Sequence, residues 1–251
     1  MSYEYKTRGA YEVIETMNMF KALKYYKIKK KISKNKEIFI IDIGGNIGYY
    51  PSIFGILGYS VLSFEPLERN YYVSKKNYCK LNRNSNVVII SKGLNPEEKT
   101  CNYYEDIDWF SNGMVVCDKK KFIYDKLNIR FKKISEVKLT KLSNFIPYLS
   151  DKNIVLIKLD IEGGEGKAIE SGIEIITKFH VPFIFVEFSP VFLKEHGTDP
   201  KNFLKFFTEN GYKISIKGFL NNVYISGKKL INKVKNRQKN IYFIHKDIII
   251  N

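Results

Sequence analysis

The feature that most constrains the fold is a junction between an apolar stretch and a glycine-rich loop. Residues 37–43 (EIFIIDI) are β-branched and aromatic apart from their acids, as is typical of a parallel strand covered on both faces. The stretch leads into GGNIG (44–48), where glycine lets the backbone turn tightly. A helix is expected to follow and to end around Gly58. Strand, loop and helix in this order indicate an α/β domain.

Similar apolar stretches recur along the chain, and helical patterns separate most of them. Further strands are predicted at 60–66, 86–91, 153–160, 182–188, 212–218 and 241–246. Helices are predicted at 11–26, 66–79, 165–179 and 199–211, the first with Val13, Met17, Phe20 and Leu23 on its buried face. This alternation predicts a doubly wound, mostly parallel sheet. The last two strands, with no helix predicted between them, should form an antiparallel hairpin at the C-terminal edge.

We expect the 251 residues to form one domain, 1–251, with two parts outside the alternating pattern. Residues 1–36 form a helical, lysine-rich extension. Residues 96–137 contain an Asn-Gly pair at Asn112 and alternating runs around Phe122 and Phe131, which predict β-hairpins inserted beside the sheet.

Cysteine content and hydropathy indicate a cytoplasmic protein. No run of apolar residues is long enough to span a membrane, and the N-terminus lacks the pattern of a secretory signal. The three cysteines are odd in number and do not form CxxC, so we expect reduced thiols and no disulfide at Cys79, Cys101 and Cys117.

The formal net charge of +16 raises the possibility of a nucleic-acid partner. Only five of the 42 basic side chains are arginines, although the guanidinium group is the one suited to bidentate phosphate and base contacts. Nucleic acid is therefore possible but less favoured than a small-molecule or glycan acceptor, and the oligomeric state is left open. The densest basic stretches, 21–36 and 228–239, remain candidates for contact with an acidic partner.

The glycine loop and an acid at the tip of the next strand predict a nucleoside site. Glu65 lies roughly 20 residues beyond the loop, where a carboxylate can accept hydrogen bonds from a ribose diol. A dinucleotide site would need glycine at the position of Asn46, so that pyrophosphate can touch the backbone. S-adenosylmethionine has a ribose but no pyrophosphate and suits this loop better. The alternative is a tight turn that binds no ligand.

Three further acids are expected at the same edge of the sheet. Asp160 and Glu162 end one predicted strand, and Glu187 ends the next. Carboxylates whose pKa values are raised by mutual repulsion can take the proton released when a hydroxyl is methylated. The alternative is that Asp160 caps a helix and that Glu162 and Glu187 form ion pairs with lysines.

A metal ion and a histidine are two further candidates for function at this edge of the sheet. A divalent metal could bind the three acids, but nothing in the sequence fixes the spacing, and we predict none. His196 lies in the loop beyond Glu187 and is a candidate base. His180 and His245 lie in or beside predicted core elements and are expected to be structural.

At this point the chain resembles the FkbM family of methyltransferases. The similarity rests on IIDIGGNIGYY, FEP, SKGL (91–94), IKLDIEGGE and VEFSP, in that order over residues 37–190. The resemblance implies a class I Rossmann-like fold with seven strands, S-adenosylmethionine as donor, and a hydroxyl of a sugar, glycan or sugar-bearing metabolite as acceptor.

The resemblance also implies roles for residues. It places Asp42, Gly44, Asn46 and Gly48 on the methionine side of the cofactor and Glu65 on its ribose, with Asp160 and Glu162 at the acceptor. We assign the neighbouring Gly45, Pro66, Lys92 and Gly93 to cofactor binding as well. Two rival functions remain: methylation of an RNA ribose 2′-hydroxyl, and a noncatalytic binding module with a vestigial cofactor pocket.

Overall fold

The structure is a computed structural model that describes residues 12–81, 86–108, 113–117 and 131–248. The helices are α1 Val13–Lys29, α2 Tyr49–Ile56, α3 Glu68–Leu81, α4 Ile146–Leu149, α5 Glu165–Glu170, α6 Ile173–Thr177, α7 Pro190–Glu195, α8 Pro200–Glu209 and α9 Gly227–Val234. The strands are β1 Phe39–Ile43, β2 Ser60–Phe64, β3 Val87–Ile90, β4 Gly93–Leu94, β5 Lys99–Asp106, β6 Gly113–Val116, β7 Phe131–Thr140, β8 Ile154–Leu159, β9 Phe183–Phe188, β10 Tyr212–Ser215 and β11 Lys239–His245.

Seven strands form the central sheet in the order β10-β11-β9-β8-β1-β2-β3. β11 runs antiparallel to both of its neighbours, and the other pairs are parallel. The predicted doubly wound, mostly parallel sheet with an antiparallel C-terminal edge is therefore confirmed. Because β1 lies between β2 and β8, the loops that follow these three strands meet at one end of the sheet.

Apolar side chains cover both faces of this sheet. On one face α5 to α9 pack against residues such as Ile41 and Ile157, and on the other α1 and α2 pack against residues such as Ile40 and Val155. Strands buried on both faces explain why their sequences are continuously apolar.

Helix α1 buries part of the predicted face. Leu23 is buried and Phe20 packs against the core as predicted, whereas Val13 and Met17 are about half exposed. Thr16 and Tyr26 are buried instead: the side chain of Tyr26 donates a hydrogen bond to Asn153 just before β8 (3.0 Å), and Thr16 lies 3.2 Å from the hydroxyl of Tyr49. Polar contacts with the domain thus help to set the rotation of the helix, which apolar spacing identified only in part.

A second sheet, with strand order β4-β7-β5-β6, lies in the region where β-hairpins were predicted. β5 pairs antiparallel with β6 and β7, while the short β4 pairs parallel with β7. Its small apolar core includes Leu67, at the start of α3. The buried Glu105 of this sheet pairs with Arg69 of α3 at 2.5 Å. The predicted turn at Asn112 and the alternating run around Phe122 lie outside the described residues.

Three expectations from the sequence are wrong. Cys101 and Cys117 form a disulfide between β5 and the end of β6, because β-pairing brings together residues that no sequence motif links. The lysine-rich stretch between the last two strands contains α9, whose Leu230 and Val234 are buried in the core beside α8. The single helix expected at 165–179 is broken at Gly172, where any Cβ would collide with Leu142.

The aromatic cluster beneath β11 predicts a large cost for truncating Phe207. Its ring is fully buried and stacks on Phe243 with centroids 4.0 Å apart. Phe207→Ala should lower the free energy of unfolding by about 3–5 kcal/mol, measured by urea denaturation. Phe206→Ala, which truncates a partly exposed neighbour on the same helix, should cost clearly less. Equal losses in the two variants would contradict this description of the core.

Candidate active site

The glycine loop after β1 is folded around the carboxylate of Glu65. The backbone N–H of Asn46 donates to Glu65 Oε2 (2.8 Å), and that of Leu67 donates to Oε1 (2.9 Å). Asn46 has a positive φ of 46°, and Gly48 has one of 87°, with Ser74 too close for any Cβ. Glu65 is 4% exposed, so the loop and the acid form one unit at the end of β1 and β2.

The two sequence motifs touch each other at Gly44. This residue has φ +90°, and a Cβ added to it would stand 2.0 Å from the carbonyl oxygen of Asp160. The backbone N–H of Asp160 donates to the carbonyl of Ile43 (3.1 Å). A glycine is therefore required where the β1 loop crosses the β8 loop, and this crossing brings the predicted cofactor and acceptor residues to the same end of the sheet.

A buried lysine that the sequence analysis did not select joins the two motifs. Lys158 is 1% exposed, and its ammonium lies 3.4 Å from both Asp42 and Asp160 and donates to the carbonyl of Gly44 (3.2 Å). It also lies over the ring of Tyr50, 4.9 Å from the centroid. A charged residue inside the apolar run IVLIKL was a signal that could have identified it, because lysine is almost never fully buried unless it is paired.

Asp42 is held inside the protein. It has no exposed surface and accepts a hydrogen bond from the hydroxyl of Ser63 (2.8 Å). Burial raises the pKa of Asp42, and the charge of Lys158 opposes that shift. Burial lowers the pKa of Lys158, but the charges of Asp160 and Asp42 outweigh it and raise its pKa overall. Because Asp42 has no exposed surface, it can affect a ligand only by positioning the glycine loop that follows it.

Asp160, Glu162 and Glu187 are brought together, with Gln238 beside them. The amide of Gln238 donates to Glu162 Oε2 (2.7 Å) and to Glu187 Oε2 (3.3 Å). Gln238 lies just before β11, whose antiparallel direction brings its start to the end of β9. No sequence motif predicts this contact, because Gln238 is 76 residues from Glu162 and 51 residues from Glu187.

Mutual repulsion and burial hold protons on this cluster. Burial, followed by the charges of Asp160 and Glu162, raises the pKa of Glu187 far above its usual range, and its side chain hydrogen-bonds to Asp160. Burial and the charge of Asp160 raise the pKa of Glu162 to about 8. These shifts favour a proton on Glu187, which can donate it to Asp160, and they make Glu162 a weaker acid than a glutamate in water.

Glu165 supports the acidic loop from within. It is 1% exposed, and its Oε1 accepts hydrogen bonds from the backbone N–H groups of Ile161 (3.1 Å) and Gly163 (3.2 Å). Burial raises its pKa to about 7. These bonds secure a loop in which Glu162 has a positive φ of 54° and Gly163 one of 102°. In the sequence, the position of Glu165 at the end of EGGE (162–165) was the signal that could have identified this residue.

The histidines fall into two places. His196 packs against Gly163, where an added Cβ would stand 2.7 Å from its ring, so it borders the acidic loop. Burial lowers its pKa to about 4, which leaves it neutral at pH 7. His245 is buried at the other end of the sheet, with its Nε2 3.4 Å from Nδ1 of the exposed His180. Within the described residues, these two and Asp247 are the sole set of three metal-ligating side chains that converge.

The remaining predicted cofactor residues lie around β2 and β4. Gly45 leaves no room for a Cβ, because Ser63 Oγ would be 2.3 Å away. Gly93 is buried against Pro66 and Leu139, whereas Lys92 is exposed. Ile47, which was not predicted, has 52% of its surface exposed at the tip of the glycine loop. It gives the glycine loop an exposed apolar side chain one residue beyond Asn46, whose backbone binds Glu65.

Comparison with protein families decides the class of this site. The model of the methyltransferase FkbM domain matches residues 42–214, which include both motifs and Glu187. The chain belongs to the FkbM methyltransferase family. This FkbM domain is accordingly an S-adenosylmethionine-dependent methyltransferase, and the match confirms the resemblance carried by the glycine loop and the LDIEGGE segment. Comparison with curated protein sequences gave no match.

Solved structures with little sequence identity align with this FkbM domain, and that of WbdD shares its fold. The low-resolution structure of WbdD aligns with a TM-score of 0.50 at 8% identity, covering 98% of this chain and 38% of WbdD. Human methyltransferase 10 domain containing protein aligns at 0.46 and 10% identity, covering 94% and 84%. Magnesium protoporphyrin IX methyltransferase from Synechocystis PCC 6803, with bound SAH, aligns at 0.45 and 10% identity, covering 98% and 88%. The chain thus spans well under half the length of WbdD.

The protonated state of Glu187 predicts a pH-dependent gain from Glu187→Gln. Its pKa is raised on folding, so between pH 5 and 8 the native state keeps a proton that the unfolded chain loses, and native stability falls as pH rises. The amide is neutral and can donate to Asp160 as the protonated acid does. At pH 8 the variant should be more stable than wild type, and this advantage should shrink by about 1.4 kcal/mol for each pH unit toward pH 5.

Urea denaturation at the two pH values measures this difference. Glu136→Gln, which alters an exposed acid of the second sheet, should show no comparable pH dependence. An equal effect of Glu187→Gln at pH 5 and pH 8 would mean that Glu187 is ionised in the native protein.

Proposed function

We propose that this methyltransferase transfers a methyl group to a hydroxyl oxygen of a sugar, a glycan or a sugar-bearing metabolite. The observation that carries the proposal is the contact between the Glu65 loop and the acid cluster, made through Gly44 and Lys158. This contact supports a cofactor site and a proton-accepting site side by side. We also propose that residues 1–251 act as one methyltransferase domain, with 1–36 as an extension and 96–137 as an insertion.

The residues around Glu65 fit S-adenosylmethionine. Each oxygen of Glu65 accepts one backbone N–H and keeps a lone pair for a ribose hydroxyl. The loop offers a close backbone approach at Gly44 and Gly48 and an apolar side chain at Ile47. The side chain of Asn46 accepts a hydrogen bond from the amide of Asn70 (3.2 Å). It occupies the position where a dinucleotide site needs glycine. When bound, the cofactor supplies an electrophilic methyl group on a sulfonium.

The acid cluster would orient the acceptor and take its proton. Methyl transfer forms an oxygen–carbon bond as the sulfur–carbon bond breaks, and the hydroxyl loses a proton. We assign the base role to Glu162, because a pKa of about 8 suits a group that exchanges protons near neutral pH. Asp160, paired with Lys158 at 3.4 Å, would hold the hydroxyl. His196 borders this site and remains a second candidate base.

The two rival functions rest on weaker observations. RNA as acceptor is favoured by the net charge of +16, and a steep salt dependence of RNA binding would support it. A noncatalytic module would not need protons held on Glu162 and Glu187, since such acids destabilise the fold at neutral pH.

Titration with S-adenosylhomocysteine tests the proposal without knowledge of the acceptor. Burial raises the pKa of Glu65 to about 7, and ribose hydroxyls donate to its ionised form. The wild-type protein should bind the ligand by calorimetry at pH 8 and lose about tenfold in affinity for each pH unit below 6. Glu65→Gln should weaken binding at pH 8 by about tenfold or more and should reduce the pH dependence.

Two further variants separate the roles at the site. Asp160→Asn should bind S-adenosylhomocysteine within about threefold of wild type, because we place this residue on the acceptor side. The exposed Glu136→Gln serves as the matched control. Absence of any binding by the wild type would contradict the proposed function, and equal losses in Glu65→Gln and Asp160→Asn would contradict the roles.

The compartment can be tested through the cysteines. Within the described residues, no helix is long and apolar enough to cross a membrane. We propose a cytoplasmic location, in which glutathione and thioredoxin would reduce the Cys101–Cys117 disulfide to two thiols. Alkylation of acid-quenched cells followed by mass spectrometry should then label three cysteines. Labelling of Cys79 alone would indicate an oxidising compartment and overturn this assignment.

A further inference from the structure

The acidic site of this protein is bordered by a segment that carries only positive charge. Between Asn210 and Lys246 the chain contains no aspartate or glutamate. Within that segment, six basic residues fall among twelve positions, namely Lys228, Lys229, Lys233, Lys235, Arg237 and Lys239. We call these six residues the basic rim. All six are exposed, and none takes part in an ion pair recorded for the described residues.

Gln238 fixes the position of the basic rim relative to the acids. Its amide contacts Glu162 and Glu187, and its direct neighbours in the chain are Arg237 and Lys239. Because successive Cα atoms are about 3.8 Å apart, both cations and Lys235 start within about 11 Å of the Cα of Gln238. The neutral amide thus stands at a boundary between carboxyl groups on one side and exposed cations on the other.

Helix α9 extends the same surface. Its buried Leu230 and Val234 lie in the core beside α8, while Lys228, Lys229 and Lys233 are exposed to solvent. Nothing within the segment neutralises these charges, so they raise the local concentration of anions at the site. The carboxyl groups of the acid cluster would repel an anion that the basic rim attracts. A ligand can therefore bind both surfaces only if its hydroxyl and its negative group lie on different parts of the molecule.

We propose that the basic rim is a subsite for a phosphate group of the acceptor, which makes the acceptor a phosphate-bearing carbohydrate. The sugar hydroxyl enters between Asp160 and Glu162, and the phosphate binds Arg237, Lys239 and the neighbouring lysines. This inference rests on the proposed function and specifies its substrate class. Lysine binds phosphate as a point charge, which suits phosphates at varied positions along a flexible glycan.

Two features favour a phosphorylated glycan over RNA. Residues 225–240 contain no aromatic side chain on which a base could stack, and stacking is a main contribution to binding of single-stranded nucleic acid. Arg237 is the one guanidinium among the six cations, although that group is the one suited to base edges. Helix α9, with eight residues, is only about 12 Å long and covers few phosphates.

The test compares phosphomannan with the same polysaccharide after removal of its phosphate groups. Binding is measured by calorimetry in the presence of S-adenosylhomocysteine, for wild type and for the triple variant Lys235→Gln/Arg237→Gln/Lys239→Gln. The matched control is Lys24→Gln/Lys30→Gln/Lys36→Gln, which removes three exposed charges from α1 and the segment before β1. A 12-nucleotide single-stranded RNA is titrated at the same phosphate concentration.

We expect wild type to bind phosphomannan at least about tenfold more tightly than the dephosphorylated form at low salt. The rim variant should lose most of that difference, while the control should keep it, and both should bind S-adenosylhomocysteine as wild type does. Equal binding of the two polysaccharides, equal losses in both variants, or tighter binding of RNA would overturn the inference. Failure of wild type to bind S-adenosylhomocysteine would instead refute the proposed function.

Discussion

The arrangement of the site depends on the buried ammonium of Lys158. It lies between Asp42, at the end of β1, and Asp160, after β8, and it also contacts the carbonyl of Gly44. A buried carboxylate without a partner is strongly unfavourable, and loss of one member of such a pair typically costs about 3–5 kcal/mol. Lys158 therefore allows two acids to stand at the junction of adjacent strands. It adds an ionic link to the backbone contacts of Gly44 and Ile43 with Asp160, which already join the two loops.

The same cation divides the acids by charge state. Asp160 is paired with Lys158, whereas Glu187 lies farther along the edge of the sheet, in β9, and hydrogen-bonds to Asp160. Burial and repulsion then favour a proton on Glu187 and place the titration of Glu162 near pH 8. Chemically similar acids thus stand in different environments, because Lys158 pairs with Asp160 while burial and neighbouring acids dominate at Glu162 and Glu187. Such separation of pKa values is how a site assembles a proton acceptor from carboxyl groups.

Local sequence predicted those parts of the fold that local chemistry determines. The β-branched run before Asp42 and the glycines after it specify a strand and a tight turn, whatever surrounds them. The buried face of α1, the Cys101–Cys117 pair and helix α9 depend on which distant segments become neighbours. Apolar spacing could not reveal that Met17 is exposed while Thr16 is buried, because the contact with Tyr49 is made across 33 residues of chain.

The acid cluster of Asp160, Glu162 and Glu187 and the basic rim have opposite effects on a nearby anion. Clustered carboxyl groups would weaken the binding of any anion, and exposed lysines would draw anions toward them. Gln238 lies between these regions and hydrogen-bonds to Glu162 and Glu187 without adding charge. A lysine in its place would quench the raised pKa of Glu162, and a glutamate would extend the repulsion into the rim. A neutral donor at this position lets the chain keep a proton acceptor and an anion-attracting surface within a few residues of each other.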